Sequence, residues 1–156
     1  MNPQQAAVLR GLLLSQQVAA LATLHRGAPA VSMVPYALLP QGRGFVLHVS
    51  GLATHTADML AEPAVALLVV APEGAAPSAR ERPRASVQGR ATPLAADGAA
   101  HAEARACYLA RFPESAETFG FADFSLFQVA VRAVRFVGGL GDATSILAPR
   151  YAEVMA

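Results

Sequence analysis

Two short polar turns constrain this chain more than any other feature. "RGAP" (Arg26–Pro29) and "PQGRG" (Pro40–Gly44) separate three apolar runs: "VAALATLH" (Val18–His25), "AVSMVPYALL" (Ala30–Leu39) and "FVLHV" (Phe45–Val49). Parallel neighbours need crossovers of about a dozen residues, whereas a hairpin needs as few as about two. The three runs are therefore expected to be antiparallel strands, and a doubly wound parallel sheet is disfavoured. Pro35 interrupts the second run. A proline removes a ladder donor, so it marks a bulge or a sheet edge.

The rest of the chain continues this pattern. Residues 3–17 read as a helix, with Pro3 in its first turn and Val8, Leu9, Leu12 and Leu13 at helical spacing. A short helix ends near Glu62, before Pro63. "AVALLVV" (Ala64–Val70) reads as a strand buried on both sides, and Ala71–Pro83 as a long loop. "RASVQGRATPL" (Arg84–Leu94) reads as a strand bulged at Gly89. A helix from about Asp97 to Arg111 takes Asp97 as its N-cap, with Tyr108 and Phe112 in the core. Phe124–Val137 suits one or two strands, "GGLGDA" (Gly138–Ala143) a flexible closing loop, and residues 144–156 a tail. The expectation is one mainly β domain over residues 1–156, a small barrel with helices packed on it.

Composition narrows the function classes. The chain is 54% hydrophobic and 15% charged, against about 25% charged in an ordinary soluble domain. No apolar window reaches the roughly 18–20 residues of a membrane span, and the N-terminus lacks signal-peptide character. A cytoplasmic protein that buries apolar surface in an oligomer is the expectation. A net charge of +1 gives no sign of a nucleic-acid surface. There is no lysine, so any anion site must use arginine, histidine, hydroxyls or backbone N–H groups. Cys107 stands alone, and the four scattered histidines assemble no metal site. His25 and His48 read as packed or edge residues, Arg80 and Arg82 as solvated, and Asp123 as a cap or turn residue.

The chemistry concentrates in "SGLATHT" (Ser50–Thr56), at a strand-to-helix junction. Free N–H groups and a partial positive charge at a helix start favour an anion such as phosphate. Gly51 lets the backbone approach a ligand. The competing reading is a simple helix cap by Thr54 or Thr56. Ser32 strengthens the first reading. A hairpin register through Gln41–Gly42 would put it near Ser50.

Taken together, "SGLATHTADML", "YLARFP" and "DFSLFQV" followed by "GGLG" resemble the pyridoxamine 5′-phosphate oxidase-like, FMN-binding split-barrel superfamily, in its haem-utilisation branch. The resemblance runs from about Leu12 to Ala143. It implies a six-stranded split β-barrel that forms a homodimer, with FMN in each of two interface clefts. It implies that Ser32, Met33, Val34 and Pro35 line the flavin and its ribityl chain. Ser50, His55 and Thr56 would hold the phosphate, with Leu52 nearby. Arg84 would approach from the second subunit, and Gly139, in "GGLG", would lie by the flavin edge. The implied function is a flavin-dependent oxidoreductase for an unknown small substrate, with the chemistry carried by the cofactor and no catalytic side chain identified. The alternatives are a haem-binding protein using the same cleft and a non-catalytic flavin carrier.

Three departures from the family pattern bear on function. The oxidases of that superfamily carry an Arg–Lys pair in the phosphate turn, where this chain has His55-Thr56. They also end in a Trp- and Arg-rich segment that this chain lacks, so vitamin B6 oxidation is not expected. Haem-degrading members use a C-terminal histidine on iron, whereas the last histidine here is His101.

Overall fold

The computed structural model describes residues 1–156. Its elements, in chain order, are α1 (Pro3–Ser15), β1 (Val18–His25), β2 (Ala28–Pro35), β3 (Ala37–Leu38), β4 (Phe45–Ser50), α2 (Thr54–Ala61), β5 (Ala64–Val70), β6 (Arg84–Pro93), α3 (Ala99–Arg111), β7 (Phe124–Gly139), β8 (Asp142–Leu147) and α4 (Ala148–Met155). Local chemistry explains several boundaries. Asn2 and Gln5 form a reciprocal capping box at α1, with bonds of 2.8 and 2.9 Å, and Pro3 occupies the first turn. β1 and β2 close through Arg26 and Gly27 alone, both at positive φ (51° and 81°), which gives the twist a two-residue hairpin favours.

All the strands join one antiparallel sheet in the order β2-β1-β5-β6-β7-β4-β3, with β8 also on β7. The two ends of that order, β2 and β3, are separated in the chain by Tyr36 alone. A sheet whose outermost strands are one residue apart cannot lie open. It curls into a split barrel, the mainly β fold that the sequence implied. Pro35 closes an edge strand, where its missing N–H costs no ladder bond.

Several details differ from the sequence expectations. The run Ala30–Leu39 is not one strand: it breaks at Tyr36, and only β3 pairs with β4. The expected Ser32–Ser50 register therefore does not form. The bulge opposite Gly89 puts its extra residue, Arg132, on β7. A Cβ at Gly89 would come within 2.6 Å of the Ala130 carbonyl oxygen, so the close strand approach there needs glycine. α3 is capped by Gly98 without a side-chain bond, rather than by Asp97. "GGLGDA" is the turn of a β7–β8 hairpin, not a flexible loop, and residues 144–156 continue into β8 and α4. α4 buries Tyr151 and Val154, three residues apart on one helical face. β5 alternates instead of being buried on both faces: Val65, Leu67 and Val69 face the core, while Leu68 is 41% exposed. The barrel is also built from more than six strands, because β3 and β8 join those the sequence outlined.

The main core fills the barrel from Leu9 and Leu13 of α1 to Phe127 and Phe136 of β7. A second, smaller core lies between α3 and strands β3, β4 and β7, around Tyr108, Phe112 and Leu126. His48 borders it. Its ring stacks on Phe119 at 3.8 Å and meets the edge of Tyr108 at 5.6 Å. Burial, helped by His101, lowers its pKa to about 4.

Two predictions follow from this packing. Gly44 has φ +116°, and a Cβ there would overlap the Val129 carbonyl oxygen. Gly44→Ala is expected to destabilise the fold by about 2 kcal/mol or more, lowering Tm by roughly 4–8 °C in a differential scan. The second concerns acid. His48 binds its proton less readily folded than unfolded, so its contribution is complete above about pH 6.5 and is lost as pH falls toward 4. His48→Phe is expected to flatten the fall in urea midpoint between pH 7 and 5; an unchanged slope would assign that fall to other groups.

Candidate functional site

The turn between β4 and α2 is held from below. Gly51 N–H donates to the Asp123 carbonyl at 2.6 Å, and Ser50 Oγ donates to the Asp123 carboxylate at 2.8 Å. The Leu52 N–H returns to Ser50 Oγ at 3.1 Å. Thr56 is buried, and its hydroxyl donates to the Ser50 carbonyl at 2.6 Å. Thr56 is therefore a strut inside the turn rather than a group facing a ligand. Ala53, the N-cap of α2, offers no side-chain cap; the Thr56 N–H is taken by the Ala53 carbonyl at 3.1 Å, which leaves the N–H groups of Thr54 and His55 open to an acceptor from outside. The capping roles considered for Thr54 and Thr56 are not filled.

One face of α2 carries the site's titratable groups. His55 Nδ1 lies 3.0 Å from Ser32 Oγ on β2. This contact, not a hairpin register, brings Ser32 to the turn. Burial lowers the His55 pKa, partly offset by Asp58, so the ring is neutral at pH 7. Three residues on, Asp58 is buried. It takes a 2.7 Å bond from His25 Nδ1 and a 3.0 Å bond from the Thr23 hydroxyl, both on β1. The His25 bond is the main cause of a lowered Asp58 pKa.

Asp58, Thr23 and the Asp123 contact were not foreseen as parts of the site. For Asp58 a signal existed: an i, i+3 spacing from His55 shares a helix face. For Thr23 it was the inward position in the β1 alternation. Asp123 lies 73 positions from Ser50, and nothing local joins them.

The remaining expected residues divide by location. Along β2, Ser32 and Val34 face inward while Met33 and Pro35 are exposed on the opposite face, so the four do not form one wall. Leu52 is 89% exposed beside the turn. Arg84 and Gly139 lie at the far end of the sheet: Ser50 pairs with Phe124 and Arg84 with Val137. That separation is about 43 Å of strand at ~3.3 Å per residue. Arg84 donates to the carbonyls of Arg80 and Arg82. The arginine–carboxylate pairs of the chain are Arg43–Glu103 and Arg150–Glu153, and neither puts an arginine on the turn. No three His, Cys, Asp or Glu side chains converge as a metal site. No helix is long and apolar enough to cross a membrane.

Comparison with known proteins identifies the fold's relatives. An Arabidopsis thaliana protein described as non-canonical heme oxygenase HOZ, chloroplastic, is 34% identical over 119 residues, which is 76% of this chain and 35% of that protein. This chain thus spans about a third of that relative's length. A heme binding protein from Mycobacterium smegmatis superposes with a TM-score of 0.87 at 32% identity, over 98% of this chain and 62% of that one. Campylobacter jejuni ChuZ shares the fold, with a TM-score of 0.82 at 22% identity over 94% of this chain and 61% of that one. A profile of the pyridoxamine 5′-phosphate oxidase family matches residues 5–138, and the chain belongs to that family.

Proposed function

We propose that this chain binds haem in a cleft completed by a second copy of itself. The observation that carries the reading is the charge pattern of the β4–α2 turn. It offers neutral His55, the open start of α2 and exposed Leu52, but no arginine, and the Asp123 carboxylate sits 2.8 Å from Ser50 Oγ. A phosphate dianion is poorly matched to that set. A flat, largely apolar macrocycle, which packs against a neutral ring and an exposed leucine, is better matched. Two relatives above 30% identity are named for haem, which supports the same direction. Bound haem would supply the redox chemistry of its iron; the chain would bind and orient it.

The second copy is argued from the outer face of the sheet. Ala20, Ala22, Val31, Met33, Ala66 and Leu68 form an apolar surface there, with Val31 73% and Met33 65% exposed. An apolar face of this kind normally meets a partner. A homodimer also gives Arg84 and Gly139 a route to the turn of the other protomer, which one chain's geometry denies them. The wild type is expected at twice 16.1 kDa by light scattering, and Leu68→Arg to run as a folded monomer with weakened haem binding. A wild-type monomer would exclude the shared cleft.

FMN is the second reading. It is favoured by the open α2 start with His55 and Ser32 beside it, and it would make the protein a flavin-dependent oxidoreductase or a flavin carrier. Parallel titrations separate the two. Haemin is expected to give a saturable Soret band at one per protomer with Kd on the order of 1 μM or below, while FMN fluorescence stays unquenched at tens of micromolar, within the ~μM–mM span of weak small-molecule affinities. Quenching by FMN without a haemin Soret change would reverse the choice.

A further inference from the structure

Of the four histidines, His25 is the one backed by a carboxylate. Asp58 is only 5% exposed; one of its oxygens is 2.7 Å from His25 Nδ1 and the other accepts the Thr23 hydroxyl at 3.0 Å. An ionised carboxylate only accepts hydrogen bonds, so Nδ1 is the donor of this bond and Nε2 is the ring nitrogen left to coordinate. Nε2 has no partner within the chain, and the side chain is 42% exposed. The other rings differ. His48 is stacked into the second core, His55 leans on a hydroxyl, and His101 makes no side-chain hydrogen bond.

The His25–Asp58 contact also ties α2 to β1, but a strut makes no use of Nε2. A metal-bound histidine characteristically donates its other N–H to a carboxylate, which fixes the ring and strengthens the free nitrogen as a donor. Haem iron takes its in-plane ligands from the macrocycle, so one such histidine is enough and no three-residue cluster is required. Arg26, next in the β1–β2 turn, is exposed and belongs to none of the chain's ion pairs, so it is free to meet a carboxylate of the ligand.

We propose that His25 Nε2 is the protein's axial ligand to haem iron, with Asp58 and Thr23 as positioning residues. The assignment rests on the haem reading above. It places the iron on a residue of β1 instead of on the histidine of the β4–α2 turn.

Haemin titration of the full chain tests it, read by the Soret band and by low-temperature EPR. His25→Ala is expected to lose at least tenfold in affinity and to shift the Soret band, with added imidazole restoring the wild-type spectrum. His25→Gln keeps a donor for Asp58 but has no imidazole, so it should retain the wild-type melt and still lose the histidine-ligated spectrum. Asp58→Asn should bind haemin and raise the iron reduction potential, because the ring loses its anionic partner; a purely structural Asp58 would leave the potential unmoved. His55→Ala is expected to weaken haemin binding, since the residue lines the cleft, while keeping the histidine-ligated Soret band and EPR signature of the bound form. A wild-type spectrum that survives His25→Ala and His25→Gln, or is lost on His55→Ala, overturns the assignment while leaving haem binding intact. A wild type that binds no haemin overturns the haem reading, and this assignment with it.

Discussion

Everything in this fold depends on the join at Tyr36. Its neighbours in the chain, β2 and β3, are the two outermost strands of the sheet, so that one residue requires the edges to meet. The side chain is fully buried and held from three sides. Its hydroxyl donates to the Leu13 carbonyl at 2.8 Å, its ring meets Phe45 at 5.2 Å, and the Arg111 guanidinium lies 5.2 Å over it. Its backbone N–H reaches the Gln17 carbonyl at 3.1 Å. Arg111 also donates to the Leu14 and Gln16 carbonyls at the end of α1. One residue therefore ties the end of α1, the end of α3 and both sheet edges. Burial raises its phenol pKa to about 12, so the hydroxyl stays a donor across the physiological range.

The second long-range device is β7. Over 16 residues it pairs with β6 along one edge, and with β4 and then β8 along the other. Two bulges, at Arg132 and Gly138, bend it, and bulges strengthen local twist. The start of β7 sits under the β4–α2 turn through Asp123, while its end sits beside Arg84. The same strand thus separates the two halves of the expected site within one chain.

Local features of this chain were readable without coordinates, and non-local ones were not. The β1–β2 hairpin follows from Arg26-Gly27 and the alternation around it. The start of α1 follows from Pro3 and the apolar spacing, and the end of α2 from Pro63. The break at Tyr36 was hidden because Ala30–Leu39 is continuous in composition; only the final edge-to-edge closure forces it. β8 was missed because "GGLGDA" has the composition of a flexible loop, yet Gly141, at φ +74°, makes it a tight turn. For β5, apolar composition cannot separate a strand buried on both faces from one buried on a single face, and the structure leaves the Leu68 face exposed. In the site, the hairpin register predicts Ser32 beside Ser50, whereas Ser32 reaches the turn through His55. Asp58 was passed over because an aspartate in a helix reads as a solvated residue until its partners on β1 are known.

Magnitudes explain why the turn fits one ligand better than another. A helix start contributes about 0.3–1 kcal/mol to a nearby negative charge. Two unit like charges about 4 Å apart repel by about 1 kcal/mol in bulk water and more where water is excluded. The Asp123 carboxylate, bonded to Ser50 Oγ, therefore cancels most of what the α2 start would offer a phosphate, and closing a partner chain over the site would deepen the repulsion. The family's basic pair would reverse that balance, but His55 is kept neutral by burial and Thr56 points inward. Neutral imidazoles, by contrast, are what an iron centre needs. The same burial that weakens the turn for phosphate holds the His55 pKa down. The buried charge of Asp58 then acts on the ring of His25 rather than on the ligand.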